Sequence, residues 1–259
     1  MIAGLRFGLG LIGIGKPWGH ANPVVPAERE ALNLLASAWD LGVRYFDTAP
    51  SYGISEERLG RFLASLTADE RSSATIATKF GEHWDAARSE PYVDHSYEAL
   101  AGSLDASLAR LGRIEILQLH KTTPQVLRGP DLARAWDYAR SLDIPCIGAS
   151  VSDQESAQLT VANPALTVIQ APFNLEQRAF GSVLQQASDR GMLVAVNRPF
   201  AMGRLLYERP DVSRREAFAF VAAQGFRGVV LTGTKSTAHL KENWTAFHEA
   251  IAIATSPDQ

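Results

Sequence analysis

The stretch YFDTAPSYGISEERLG, residues 45–60, contains a strand end, a turn and a helix start in sixteen residues. An apolar run stops at Asp47, a Pro-Ser-Tyr-Gly turn carries Tyr52, and a helical pattern follows. One such unit says little about a fold; its repetition decides it. Short, continuously apolar runs recur at 7–13, 43–47, 74–79, 114–119, 144–148, 167–171, 192–196 and 228–232. Apolarity without alternation is the mark of parallel strands covered on both faces. Amphipathic segments lie between them. Residues 27–41 put Ala31, Leu34, Leu35, Ala38 and Leu41 on one face, and 97–111 do the same with Leu100, Leu104, Leu108 and Leu111. Residues 212–224 and 236–252 give the last two helices, and Gly42, Gly112, Gly191 and Gly225 each follow a predicted helix as a left-handed cap would. Eight strands, each followed by a helical segment, predict an α/β fold of the (β/α)8 TIM-barrel type. The doubly wound alternative would need a G-x-G-x-x-G fingerprint opening the first helix, and GLGLIGIGKPWG at 8–19 lacks that spacing.

Composition narrows the function. The chain has 259 residues, 46% hydrophobic and 20% charged, enough to bury one large core. A net charge of −3 offers no polyanion-binding surface, so no nucleic-acid partner is expected. Cys146 is the only cysteine, which rules out an internal disulfide and fits a reducing, cytoplasmic setting. No apolar run reaches the ~18 residues of a membrane helix. FGLGLIGIG at 7–15 could pass for a short export signal, but four glycines in nine residues argue for a strand entering a glycine-rich loop. The reading is a single domain over 1–259 with an irregular tail at 255–259, acting as a monomer or weak homo-oligomer.

In such a barrel the chemistry sits at the C-terminal ends of the strands. Strand two ends at Asp47, with Tyr52 in the loop beyond; strand three ends in Lys79 and strand four in His120. Each residue has an ordinary explanation: a turn residue, a packing tyrosine, a solvated lysine, a hydrogen-bonded histidine. Their gathering at three successive strand ends of one rim favours a shared role. A Lys79 ammonium would lower the pKa of the Tyr52 phenol, Asp47 would hold Lys79, and His120 would bond a substrate oxygen. That makes a general acid aimed at a carbonyl. No phosphate loop, nucleophile elbow or metal-spaced cluster competes.

The segments FDTAPSYG (46–53), ATKF (77–80), LQLH (117–120), IGAS (147–150), VIQAPFNL (168–175) and GTKSTAHLKEN (233–243) together resemble the aldo-keto reductase superfamily, from about residue 7 to residue 245. The resemblance implies a barrel that moves hydride from NADPH, with NADH possible, to a small aldehyde or ketone. It implies Tyr52 as acid, Lys79 and Asp47 as its tuning pair, and His120 as the orienting group. For the cofactor it implies Ser150 and Gln170 at the carboxamide, and Pro199, Phe200, Met202, Gly203 and Leu205 in the loop by the pyrophosphate. Gly233, Thr234 and Lys235 fall on the phosphate turn, and His239, Lys241, Glu242 and Asn243 at the adenosine end. Two departures stand out: Val151 where the family often has Asn, and Asn197-Arg198 where it often has a stacking aromatic. Lys235, His239 and Lys241 stand in for the arginine that commonly selects NADPH.

The substrate pocket is expected to be apolar, walled by Trp18, His83, Trp84 and Phe200, and open because the loops are short. The N-terminal hairpin that often plugs the barrel floor is expected to be reduced or absent. Two other readings compete: a cofactor-binding regulatory barrel with little turnover, and a lyase using Lys79 as a Schiff base.

Overall fold

The computed structural model describes residues 4–18, 24–209 and 211–254. Its strands are β1 (Leu5–Gly10), β2 (Tyr45–Asp47), β3 (Thr75–Phe80), β4 (Glu82–Asp85), β5 (Glu90–Val93), β6 (Ile116–Leu119), β7 (Cys146–Ser150), β8 (Val168–Pro172), β9 (Leu193–Asn197) and β10 (Gly228–Gly233). Eight of these form a closed parallel barrel in the order β1-β2-β3-β6-β7-β8-β9-β10. The ring closes where β1 pairs with β10, from Leu5 opposite Gly228 to Gly10 opposite Gly233. No helix among the described residues is long and apolar enough to cross a membrane. The tail expected at 255–259 lies outside the described residues.

The strands are apolar throughout because each has two faces to bury. Phe46, Ile76, Leu117, Ile147, Ile169, Val194 and Val230 point outward into the layer shared with the helices. Tyr45, Ala77, Ile116, Val168, Ala195, Val229 and Leu231 point inward and fill the barrel. Side chains two residues further on emerge on the same inner face. From Tyr45, Ala77, Ile116, Val168 and Ala195 that step leads to Asp47, Lys79, Gln118, Gln170 and Asn197. An apolar layer thus carries a polar layer above it at the C-terminal mouth.

Two expectations are corrected. The first strand, expected at 7–13, is Leu5–Gly10, and the chain then turns into a short helix, Ile12–Gly15. The loop after β3 is not short: β4 and β5 form an antiparallel hairpin on it, with Glu82 opposite Val93 and His83 opposite Tyr92. No strand precedes β1 among the described residues. The helices Glu28–Asp40, Tyr97–Leu111, Arg214–Ala222 and Thr237–Ala254 lie where their periodicity placed them. Gly42, Gly112, Gly191 and Gly225 all take the positive φ expected of them.

The turn bearing Tyr52 is pinned from below. Ile54 N donates to Gly15 O at 3.2 Å, and Tyr52 N to Ala49 O at 3.0 Å. Gly53 has φ +61°, and a Cβ there would come within 2.3 Å of Gly15 O. A Cβ on Gly15 would in turn lie 1.8 Å from Tyr52 O. Only two glycines allow the two backbones to touch, which is why Gly53 follows the tyrosine. Helix Ser55–Ala64 is then tied to β3 and to helix Tyr97–Leu111 by one buried side chain. Glu56 accepts from Thr78 Oγ1 at 2.6 Å and from Arg110 Nη1 at 2.6 Å.

Removing that knot should be costly. Glu56→Ala is expected to lower the unfolding free energy by about 3 kcal/mol, as for other broken buried pairs, measured by urea titration. Burial raises the Glu56 pKa above its ordinary value, against the opposing pull of Thr78 and Arg110. The folded state therefore keeps the proton longer than the unfolded chain. Its contribution to stability is full at low pH and is lost as pH rises from about 4 through the folded value. Glu56→Gln should abolish that decline, and a wild-type-minus-variant difference flat with pH would refute the assignment.

Candidate active site

At the mouth, Lys79 Nζ donates to Asp47 Oδ2 at 2.7 Å and to Thr48 O at 2.9 Å. The other Asp47 oxygen accepts from Gln170 Nε2 at 3.0 Å. Lys79 is 1% exposed and Asp47 4%. Burial works against the Lys79 ammonium, but the Asp47 charge, helped by Tyr52, outweighs it and raises its pKa above the ordinary value. Lys79 therefore stays charged. Its Nζ lies 5.0 Å from the centre of the Tyr52 ring, so the turn does carry the phenol back over the lysine. Tyr52 meets the His120 ring edge-on at 5.9 Å. All four residues singled out from the sequence converge.

The expected pKa shift of the phenol is reversed. Burial raises Tyr52 above its ordinary value, and the charge and hydrogen bonding of Lys79, which pull it down, do not win. Desolvation disfavours a phenolate more than one shared ammonium favours it, because that ammonium is already paired with Asp47. The phenol is held protonated. His120 is likewise held neutral: burial first, then the charges of Lys79, Lys121 and Lys16, push its pKa well below the ordinary value.

Sequence reasoning missed Glu82. It is buried at the base of the β4–β5 hairpin, with Oε2 3.0 Å from His120 Nδ1 and Oε1 3.2 Å from Lys121 Nζ. It also missed Lys16, whose Nζ sits 5.7 Å from the Tyr52 ring centre and 5.6 Å from that of Trp84. Of the expected wall, the partly buried Trp84 shares Lys16 as a neighbour with Tyr52. Trp18 is 37% exposed, and its carbonyl takes a 3.4 Å bond from Lys235. His83 is a structural residue of the hairpin, stacked on Tyr92 at 5.1 Å with Nε2 2.9 Å from Asp94 O. Phe200 packs edge-on against Phe218 at 5.1 Å in the core. Leu205 is fully buried, whereas Met202 is exposed. The mouth is more charged than the apolar pocket expected.

Ser150, Gln170 and Asn197 stand at the ends of adjacent strands, Ser150 opposite Gln170 and Pro172 opposite Asn197. Asn197 Oδ1 is buried with no hydrogen-bond partner. Gln170 has committed its amide nitrogen to Asp47 and retains its carbonyl. Two acceptors and a hydroxyl suit a carboxamide, which brings two N–H donors and one C=O. Val151 is buried, its N–H bonded to Gln170 O at 2.8 Å, so it presents no side chain there. At the other end, Gly233 and Thr234 lead into helix Thr237–Ala254, with His239 and Lys241 exposed. Lys235 turns away to the loop after β1, donating to Val24 O at 2.9 Å. Arg214, another residue the sequence reading passed over, bonds Asn243 Oδ1 at 2.9 Å and Glu242 Oε2 at 2.9 Å.

The model of the Aldo/keto reductase family matches residues 6–216, ending before the 233–243 segment. D-threo-aldose 1-dehydrogenase of Pseudomonas sp is 29% identical over 217 residues, covering 71% of this chain and 64% of that protein. L-glyceraldehyde 3-phosphate reductase of Escherichia coli strain K12 is 29% identical over 221 residues, covering 78% and 61%. The chain thus spans less than two thirds of the length of these curated relatives. The structure of a candidate aldo-keto reductase from Pseudomonas aeruginosa superimposes with a TM-score of 0.79 at 27% identity, covering 95% of this chain and 90% of that one. With a family match over most of the barrel and the four expected polar residues gathered at its mouth, this chain belongs to the aldo/keto reductase family.

Proposed function

We propose that the protein is an oxidoreductase that transfers hydride between a nicotinamide cofactor and the carbonyl of a small aldehyde or ketone, with Tyr52 as general acid. The observation that carries this is the phenol beside a buried lysine held charged by Asp47. The nicotinamide supplies the hydride. Ser150, Gln170 and Asn197 would hold its carboxamide, and the 233–243 segment its phosphate and adenosine end. Tyr52 donates its proton to the carbonyl oxygen as negative charge develops there, and Lys79 stabilises the phenolate that remains. The Asp47–Lys79 pair counts against the lyase reading, since a Schiff base needs a neutral amine and Asp47 holds Lys79 as an ammonium.

Tyr52→Phe should reduce kcat by about 10²- to 10⁴-fold with cofactor affinity little changed, followed by NADPH oxidation against a panel of aldehydes. Because burial raises the phenol, reduction should stay flat with pH through neutrality and fall only as pH passes above the ordinary phenol value of about 10. Loss of rate between pH 7 and 9 would show that Tyr52 is not the acid. Cofactor bound stoichiometrically with no turnover on any carbonyl would instead favour a regulatory barrel.

NADPH is the preferred cofactor in this reading, and Arg214 is its selector. Arg214 reaches Glu242 and Asn243 from the neighbouring helix, whereas Lys235 is engaged by main-chain carbonyls. Arg214→Ala should weaken NADPH binding about tenfold more than NADH binding, the value of one charged hydrogen bond, by fluorescence titration. Equal losses for the two cofactors would remove Arg214 from this role.

A further inference from the structure

Lys79, Lys121 and Lys16 stand around the mouth, and only the first two are paired. Lys79 is held by Asp47 at 2.7 Å and Lys121 by Glu82 at 3.2 Å. Lys16 has no salt-bridge partner among the described residues. Glu82 attracts it through space, but both Glu82 oxygens are engaged, one by Lys121 and the other by His120 Nδ1 at 3.0 Å. Tyr52 and His120 are held neutral. With the other two lysines balanced by Asp47 and Glu82, the Lys16 ammonium is the charge in excess.

The fold fixes where that charge sits. Lys16 follows the short helix Ile12–Gly15, its N–H donated to Ile12 O at 3.2 Å. A Cβ on Gly53 would lie 3.4 Å from Lys16 Cβ, so the glycine contact that seats the Tyr52 turn seats Lys16 as well. Its side chain reaches between two rings, with Nζ 5.7 Å from the centre of Tyr52 and 5.6 Å from that of Trp84. Lys79 lies 5.0 Å from the same phenol ring, but it is 1% exposed and bonded to Asp47 and Thr48 O. Lys16 is only partly buried and is open to a substrate. Packing on aromatic faces is the ordinary role of such a lysine, yet it leaves the charge unanswered. Burial lowers the Lys16 pKa below its ordinary value, Glu82 pulls it back, and Lys121 lowers it further. A desolvated ammonium is disfavoured until an anion touches it.

We infer that Lys16 is a specificity-determining residue, which takes the carboxylate of a substrate whose carbonyl lies at Tyr52. The substrate class is then a small oxo acid: an aldehyde or ketone carrying one carboxylate. A carboxylate matches the single excess charge, whereas a phosphate dianion exceeds it. Lysine suits the task, because a compact charge on a flexible stem follows a short chain without demanding one fixed geometry. The substrate class rests on the reductase reading above; the anion site itself does not.

The kinetic arm of the test compares succinic semialdehyde with its methyl ester, with NADPH as reductant. The two share a carbonyl and a chain and differ by one charge. Wild type should favour the acid by about tenfold in kcat/KM, the value of one charged hydrogen bond, expressed mainly in KM. Lys16→Met keeps an apolar stem, removes the charge and should erase the preference, and Lys16→Arg should retain it. Equal values in wild type, or the same preference in Lys16→Met, overturn the substrate class. The binding arm needs no turnover. Trp84 fluorescence, read as the difference between the full chain and its Trp84→Phe variant, is followed during titration with succinate at constant ionic strength. It should respond in wild type and in Lys16→Arg, but not in Lys16→Met. No response in wild type, or the same response in Lys16→Met, overturns the anion site. Should Lys16→Met misfold by circular dichroism, Lys16→Gln takes its place in both arms. Absence of turnover on both compounds would count against the reductase reading, while the titration still judges Lys16.

Discussion

The buried pair of Lys79 and Asp47 is the constraint on which the site depends. A lysine 1% exposed cannot hold its charge without an anion beside it, and an unpaired Asp47 would be equally untenable. The pair is completed by Thr48 O on one side and Gln170 on the other, so it links β2, β3 and β8 across the barrel mouth. Three strands that are not all neighbours must therefore be in register before the charges are satisfied. Barrel closure through β1 and β10 provides that register. The fold and the site are coupled by this requirement: an open sheet would leave Asp47 without the Gln170 amide that holds its second oxygen.

The pair also explains why two neighbouring groups stay neutral. Tyr52 and His120 are both desolvated at the mouth, and desolvation disfavours the charged form of each. Lys79 acts on them in opposite senses, helping a phenolate and opposing an imidazolium. For Tyr52 burial prevails because Asp47 has already neutralised much of the lysine field. For His120 burial and the lysines act together. The result is a neutral phenol beside a neutral imidazole, set by one ammonium and the depth of the cleft.

Much of this was legible in the sequence, for definite reasons. Strands covered on both faces are apolar over most of their length, and Asp47 and Lys79 each sit two places beyond an inward apolar residue, Tyr45 and Ala77. Turn chemistry marked Tyr52 because Gly53 must take φ +61° against Gly15. The hairpin was not legible. EPYV in β5 contains Pro91 and is exposed along its length, and the connecting DAARSE carries no tight-turn glycine. With the hairpin hidden, nothing in the sequence set Glu82 apart. Arg214 was hidden differently: it lies 29 residues before Asn243 and meets it only where two helices pack. The direction of the Tyr52 shift depends on depth below the surface, which no local pattern encodes.

Phe200 illustrates the same limit and accounts for the form of its loop. An aromatic after Pro199 reads as a wall residue, yet its ring is drawn into the core against Phe218. Seating it there bends the backbone hard: Arg198, Ala201 and Met202 all take positive φ, followed by Gly203 at +98°. Such conformations cost about 1 to 2 kcal/mol each for residues with a Cβ, so they persist only where the surroundings leave no alternative. Here Asn174 Nδ2 grips Arg198 O at 2.9 Å, and Arg204 pairs with Glu176 on the far side. The anchored ring and these two ties fix the loop at the end of β9, directly after Asn197, whose buried Oδ1 has no hydrogen-bond partner. Strain stored beside an unsatisfied acceptor is a pairing that packing alone would not select, and it is accounted for if this loop is shaped for what binds there and not for stability.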